Sequence, residues 1–319
     1  MKNKVFITGE YGHLGYLIYC ACIERGYYVI NDKYRDYAKH NKSGIPNVFK
    51  YKYFNEIDVL DYNLICTILR DEKPDVIIHT AAYVGTDKCE ANYHGAYQAN
   101  VLAIDNMTRN INYFCKDCLF INFSTTATME PYKYSMGMRI NENTERGPKT
   151  WYGQTKLLGE QIVKKNCRKW INLLPVFLFN KYPFDNASIW AKMFIANISG
   201  SAYKINLNSN FYKQYEYSEN IIDIVFKIIE NKGSINKDVI ITGTEIKKFS
   251  YFINVASKEY FKAFGNRLEY ELIPENDYLK NHVADNSLML KLAKITNKKY
   301  NEKRKNFNIA IKEVLESCR

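Results

Sequence analysis

Lys4-Val5-Phe6-Ile7-Thr8-Gly9-Glu10-Tyr11-Gly12-His13-Leu14-Gly15 carries a short apolar run that ends in a glycine and continues as Gly-x-x-Gly-x-x-Gly. Val5-Phe6-Ile7 predicts a strand, and Leu14 to Arg25 predicts the helix that follows it. Glycines matter at this point because a phosphate reaches bare backbone only where side chains are missing. A strand, a glycine loop and a helix N-terminus in succession make a dinucleotide pyrophosphate site. The spacing differs from Gly-x-Gly-x-x-Gly, and three glycines alone would serve a tight turn equally well. The place straight after a strand, with a helix behind it, carries the functional reading.

Outward from this loop, strand-like and helical stretches alternate. Tyr27 to Ile30 is a second strand running into Asn31-Asp32, and Asn63–Glu72 a helix. Asp75 to His79 is a strand, Ala91 to Ile111 a long helix, and Cys118 to Phe123 a strand ending at Ser124-Thr125-Thr126. Trp151 to Lys165 is helical, Ile171 to Phe179 a strand, and Asn306 to Glu316 a final helix. This is the α/β pattern of a Rossmann-type doubly wound parallel sheet with a smaller C-terminal substrate domain. The expected division is 1–175 for the dinucleotide-binding part and 176–319 for the rest, with some later segments returning to the sheet. No repeat and no Pro-, Gly- or Ser-rich linker separates them.

The 319 residues are 46% hydrophobic and 25% charged, a globular rather than a disordered composition. No apolar run approaches the ~20 residues of a membrane span, and Met1-Lys2-Asn3-Lys4 leads directly into the first strand without a signal peptide. A cytoplasmic protein with reduced cysteines is expected. Lys and Arg outnumber Asp and Glu by 45 to 34, a net charge of +11, but the lysines are spread along the chain. Only Lys291 to Lys305 clusters, and a solvated terminal helix accounts for it better than a nucleic-acid surface. Cys115-x-x-Cys118 has metal spacing without a second pair, and Leu119-Phe120-Ile121 turns it into the start of a core strand; no metal is expected.

The second signal is Tyr152-Gly153-Gln154-Thr155-Lys156. Tyrosine and lysine four apart share one helix face. Among 27 tyrosines, Tyr152 alone has lysine four positions on. A phenol of pKa about 10 is a sluggish acid near neutrality, and a nearby ammonium lowers it. Tyr152 can then exchange a proton with a substrate oxygen while hydride moves at a nicotinamide, Lys156 can hold the nicotinamide ribose, and the hydroxyl of Thr126 or Thr125 can orient the substrate oxygen.

These stretches, with Asp58-Val59-Leu60-Asp61, Pro74 to Ala82, and Asn100, resemble the extended short-chain dehydrogenase/reductases, in the NAD-dependent epimerase/dehydratase family, over roughly residues 1–180. The resemblance implies NAD or NADP. It places Gly9, Gly12 and Gly15 around the pyrophosphate, Tyr11, His13 and Leu14 at the cofactor beside them, and Asp32 on the adenosine ribose, which favours NAD although Lys33 and Arg35 follow. It sets Asp58 at the adenine, Val59, Thr80, Ala81, Ala82 and Pro175 along the cofactor with Tyr152 and Lys156, and Asn100 at the cofactor in support of the catalytic helix. It also implies a homodimer through helices such as Ala91–Ile111 and Trp151–Lys165.

Ala127-Thr128 stands where sugar 4,6-dehydratases carry Asp-Glu, so dehydration is not expected. Pro74 to Glu90 and Tyr152 to Glu160 resemble dTDP-4-dehydrorhamnose reductases, and Phe123 to Thr128 resembles UDP-hexose 4-epimerases. Reduction of a 4-keto sugar nucleotide with Tyr152 as proton donor is the leading expectation. A 4-epimerase with tightly held NAD stands second, and an RNA-binding or cofactor-sensing protein on the same fold third. The Arg and Asn frequent in the family's next strand are replaced in Leu173-Leu174-Pro175-Val176, and Gln214 stands near the place of an Arg that clamps the diphosphate.

Overall fold

The computed structural model describes residues 3–34, 57–129, 139–181, 188–205, 211–231, 235–272 and 283–318. Two compact units divide the chain: Met1–Glu130 with Glu145–Pro175 and Asn231–Val239, and Pro131–Thr144 with Val176–Glu230 and Ile240–Arg319. Segments of each unit thus interleave along the chain instead of parting at one point.

In the first unit, β1 (Lys4–Thr8) leads through the glycine loop into α1 (His13–Glu24), β2 (Tyr28–Val29) and α2 (Asn31–Tyr34). There follow α3 (Tyr62–Glu72), β3 (Val76–His79), α4 (Thr86–Ala91), α5 (Tyr93–Tyr97) and, after a π-turn at Gln98–Leu102, α6 (Ala103–Phe114). Then come β4 (Leu119–Phe123), a 3₁₀ turn at Thr126–Thr128, α7 (Trp151–Asn166) and β5 (Lys169–Pro175). The sheet runs Lys237–Ile241, β5, β4, β3, β1, β2, and the pairs among β1 to β5 are parallel. Strand order reverses between β1 and β3, the switch point at which open α/β sheets bind ligands. β3 and β4 are buried along their whole length, as strands covered on both faces are. Phe6, Ile77 and Phe120 pack with Ile65 and Ile68 of α3, Met107 and Ile111 of α6, and Val163 of α7.

Three expected elements come out differently. The second strand has only two residues, because the Asn31 side chain takes over the β1 backbone: Oδ1 accepts from Ile7 N at 2.9 Å and Nδ2 donates to Ile7 O at 2.6 Å. The expected helix Ala91–Ile111 is broken at Asn92, whose side chain caps Gly95 N at 2.9 Å, and carries the π-turn before α6 resumes. The expected strand Ile171–Phe179 is two strands. β5 ends at Pro175, which has no N–H to extend the ladder, and Phe177–Phe179 pairs with Tyr215–Tyr217 inside the second unit.

The second unit has an aromatic core in which Trp190, Tyr215, Phe249, Phe252 and Phe307 are buried together, with Phe252 and Phe307 ring centres 4.7 Å apart. Glu216 and Lys213 are buried in the same unit, and Glu216 lies 3.1 Å from Arg304. The basic segment 291–305 is not one helix. Lys291, Lys298, Lys299 and Lys303 lie exposed on Ser287–Leu292 and Asn297–Lys303, while Lys305 pairs with Glu219 and Glu313. Among the described residues no helix is long and apolar enough to cross a membrane.

Candidate active site

The glycine loop is built so that side chains cannot enter it. Gly9 has φ +70°, and a Cβ there would lie 2.6 Å from Ala81 N. A Cβ on Gly15 would lie 2.0 Å from Gly9 O. Gly12 caps α1 without a side-chain bond, and its own N–H turns back to Gly9 O at 3.0 Å. Thr80 ties β3 to the loop, Oγ1 donating to Thr8 O at 2.7 Å, and so sets Ala81 against Gly9. Leu14 is buried beneath the loop and Tyr11 is half-buried. His13 is half-buried at the first turn of α1, and desolvation pulls its imidazole down to about 4, so it is neutral. Its Nε2 has no hydrogen-bond partner among the described residues.

Asp32 lies in α2 rather than at a strand end, and accepts from Tyr19 Oη at 3.1 Å. Lys33 forms an ion pair with Glu72 and lies over the Tyr34 ring, which sets it apart from Asp32. Arg35 lies outside the described residues. Asp58 is exposed and accepts from Leu60 N at 2.9 Å, beside a half-buried Val59. A pocket of about 350 Å³ lined by Asp58, Leu60, Asp61, Tyr62, Asn63 and Leu64 opens there.

Asn100 is buried in the π-turn. Its Oδ1 accepts from Tyr83 N at 2.9 Å, and Nδ2 donates to Tyr83 O and to Thr155 Oγ1. It thereby joins the loop after β3, which holds Ala81 and Ala82, to α7. Gly159 allows this approach, since a Cβ there would lie 2.8 Å from Asn100 O. π-Turns of this kind concentrate at functional sites.

At the start of α7, Thr150 caps Gly153 N at 3.2 Å. A Cβ on Gly153 would lie 2.5 Å from Ala127 O, so the glycine lets the helix rest on the 3₁₀ turn after β4. That contact carries Tyr152 to the Thr125 hydroxyl, with which its phenol hydrogen-bonds. Of the two threonines left open by the sequence, Thr125 therefore faces the phenol. Thr126 Oγ1 instead donates to Pro175 O at 3.3 Å, which also places Pro175 at the edge of this group.

The electrostatics depart from expectation. The phenol of Tyr152 is not lowered by the lysine: burial, aided by the Cys89 thiol, pushes it up to about 12. The reason is desolvation, which opposes the phenolate more strongly than the hydrogen bond with Thr125 favours it. The group holds its proton at neutral pH and is an acid in waiting. Lys156 is 2% exposed and donates from Nζ to Phe123 O at 2.7 Å. Burial draws it down to about 8, against the opposing pull of Glu160 and Cys89.

Cys89, Ser124, Arg146 and Glu160 are neighbours of this site that sequence reading passed over. Helical spacing alone was enough to find Glu160, one turn beyond Lys156. Ser124 stands next to the candidate threonines, and nothing local points to Cys89 or Arg146. In the second unit, Gln214 spends its amide on backbone, Nε2 to Gly243 O and Oε1 from Ala284 N at 2.9 Å.

The family model described as RmlD substrate binding domain matches residues 3–193. Protein CapI of Staphylococcus aureus is 22% identical over 245 residues, covering 74% of this chain and 72% of that protein. Several further curated relatives align over only 42–46% of their own length. Among solved structures, a UDP-glucuronic acid 4-epimerase from Bacillus cereus in complex with UDP-glucuronic acid and NAD superposes with a TM-score of 0.78, at 16% identity over 99% of this chain and 98% of that one. A dTDP-4-dehydrorhamnose reductase from Bacillus anthracis in complex with NADP superposes with a TM-score of 0.71, at 17% identity over 98% and 99%. At these identities the likeness is one of fold.

Proposed function

The chain belongs to the RmlD substrate binding domain family, and from that premise we propose that it is an NAD(P)-dependent oxidoreductase of nucleotide-linked sugars that reduces a 4-keto group. The carrying observation is the Tyr152 phenol, kept protonated by burial and held to Thr125, with the Lys156 ammonium one helical turn away. A group in that state donates a proton as negative charge develops on a carbonyl oxygen.

A nicotinamide dinucleotide fits the residues present. The pyrophosphate would lie against Gly9, Gly12 and Gly15, the first and last of which leave no room for a Cβ, beside Tyr11, His13 and Leu14. The adenosine would meet Asp32, Asp58 and Val59, and the rest of the cofactor Thr80, Ala81, Ala82 and Pro175, with Asn100 keeping the loop and α7 together. When bound, the cofactor supplies the hydride. Tyr152 supplies the proton, Lys156 holds the ribose and carries positive charge beside the phenol, and Thr125 orients the substrate oxygen. Lys33 is engaged with Glu72, which leaves the carboxylate of Asp32 as the group that meets the 2′ position and favours NAD. A 4-epimerase that retains its cofactor would use the same residues; Phe123 to Thr128 is the stretch that supports it.

The test is a screen of nucleotide-linked 4-keto and 4-hydroxy sugars, UDP-glucose among them, following reduced-cofactor absorbance and, separately, product isomer. Net consumption of cofactor marks the reductase, and isomer change without consumption the epimerase. Tyr152→Phe is expected to lower turnover by about 10²- to 10⁴-fold with cofactor affinity little changed. Unchanged turnover in that variant would remove Tyr152 from the chemistry.

A further inference from the structure

We propose that Glu160 is a positioning residue that keeps Lys156 in its ammonium form, and that Ser124 and Arg146 hold the Glu160 carboxylate in place for this purpose. The inference rests on the reading of Tyr152 and Lys156 given above.

Glu160 is fully buried, which raises its carboxyl and makes the charge costly unless paired; Arg146 and the Ser124 hydroxyl oppose that rise and favour the carboxylate. It lies one turn beyond Lys156 on the buried face of α7. The end of β4 holds both groups. The carbonyl of Phe123 takes Lys156 Nζ at 2.7 Å, and the hydroxyl of the next residue, Ser124, donates to Glu160 Oε1. Two consecutive residues thus set the separation of ammonium and carboxylate. On the far side, Arg146 Nη2 stands 3.4 Å from Glu160 Oε2 and 2.8 Å from Asp238 Oδ2. Lys164 Nζ is 2.6 Å from the same Asp238 oxygen, and Asn172 Nδ2 donates to Oδ1 at 2.9 Å. The series Lys156, Glu160, Arg146, Asp238, Lys164 alternates in sign, and an uncharged residue at 160 would break it at the end next to the phenol.

Among the described residues no other group on the elements against α7 takes this part: Glu90 of α4 is exposed and accepts from Trp151 N at 2.7 Å. Cys89 of α4 has its thiol raised by burial and is neutral near pH 7. His79 of β3 is held neutral, drawn down to about 3 by burial and by the Lys156 charge itself. The 3₁₀ turn offers hydroxyls only, and His94 of α5 is exposed. On α6, Asp105 pairs with Arg109, and it meets Asn166 at the other end of α7. Lys169 at the start of β5 pairs with Asp117. Burial is the largest influence on Lys156 and drives it toward the neutral amine, while Glu160 opposes it.

The experiment titrates NADH by fluorescence into the full-length protein from pH 6 to pH 9.5, for wild type, Glu160→Gln, Ser124→Ala and Lys156→Met. Circular dichroism checks folding at each pH. Wild-type affinity is expected to hold up to about pH 8 and then fall. Glu160→Gln is expected to match wild type within about twofold at pH 6 and to begin its fall about a full pH unit earlier, leaving it about fivefold weaker near pH 8. Ser124→Ala shifts the same way by less, and it decides the matter if Glu160→Gln does not fold. Profiles of the two variants that overlay wild type, or a loss equal at every pH, would overturn the proposal. Lys156→Met separates this from the reading beneath it. A flat profile there confirms that Lys156 meets the cofactor, whereas a wild-type profile removes both the reading and the inference.

Discussion

The β1–α1 loop and the start of α7 build the candidate site by opposite means. The loop works by what it lacks. At Gly9 and Gly15 a single added carbon would meet backbone at 2.6 and 2.0 Å, and no ionisable side chain takes part in that fit. The α7 region works by what it withdraws from water: a phenol, an ammonium and a carboxylate whose proton affinities are all displaced by desolvation, with Glu160 opposing the shift of Lys156. Defects in the first should be steric and indifferent to pH; defects in the second should be electrostatic and follow pH. His79 stands between them. Its Nδ1 meets Thr8 Oγ1 at 2.7 Å beside the loop, and its proton affinity is lowered by the Lys156 charge from the other side.

The comparison breaks most visibly at Gly15→Ala. The added methyl cannot fit without moving the loop, an overpacking cost of about 1–3 kcal/mol. NADH affinity should drop by up to about a hundredfold, by the same factor at pH 6 and pH 9, as read by fluorescence titration. A loss that varied with pH would mean that the loop's work is not purely steric.

His79→Asn sharpens the contrast next. The imidazole is near 3 folded against 6.5 unfolded, so the unfolded chain binds the extra proton. The stability it contributes is complete above pH 6.5 and is lost as pH falls toward 3, at about 1.4 kcal/mol per pH unit. Between pH 7 and pH 5, urea unfolding of wild type should lose about 2 kcal/mol more than the variant, whatever the substitution costs at both. Equal losses would show that His79 is not the group that buries its neutral form.

The smallest effect is expected at Asp32→Ala, on the loop's side of the comparison but acting through charge. NADH affinity should fall about tenfold, the worth of hydrogen bonds to an ionised group, and NADPH affinity much less, since a carboxylate that repels a 2′-phosphate is also removed. Parallel losses for the two cofactors would take the selector role away from Asp32.

Much of the site was legible in the chain because its two motifs are local. Gly9 to Gly15 and Tyr152 to Lys156 each lie within one turn or loop, so spacing alone places their residues together. Glu160 was legible in principle by the same spacing. Thr125 against Thr126 was not, because the choice depends on how Gly153 seats α7 on the turn after β4. Cys89, Arg146 and Asp238 reach the site from three separate stretches, and no local pattern announces them.

The chain by itself determined the α/β class, the glycine cradle after the first strand, and the tyrosine–lysine face of one helix, because periodicity and missing side chains act over a few residues. Folding decided the rest: a second strand cut short by Asn31, a long helix broken at Asn92, a strand divided at Pro175, and a phenol raised where a lysine was expected to lower it. Those outcomes turn on burial and on partners distant in sequence, and the free energy of a charge depends on everything around it once water is gone.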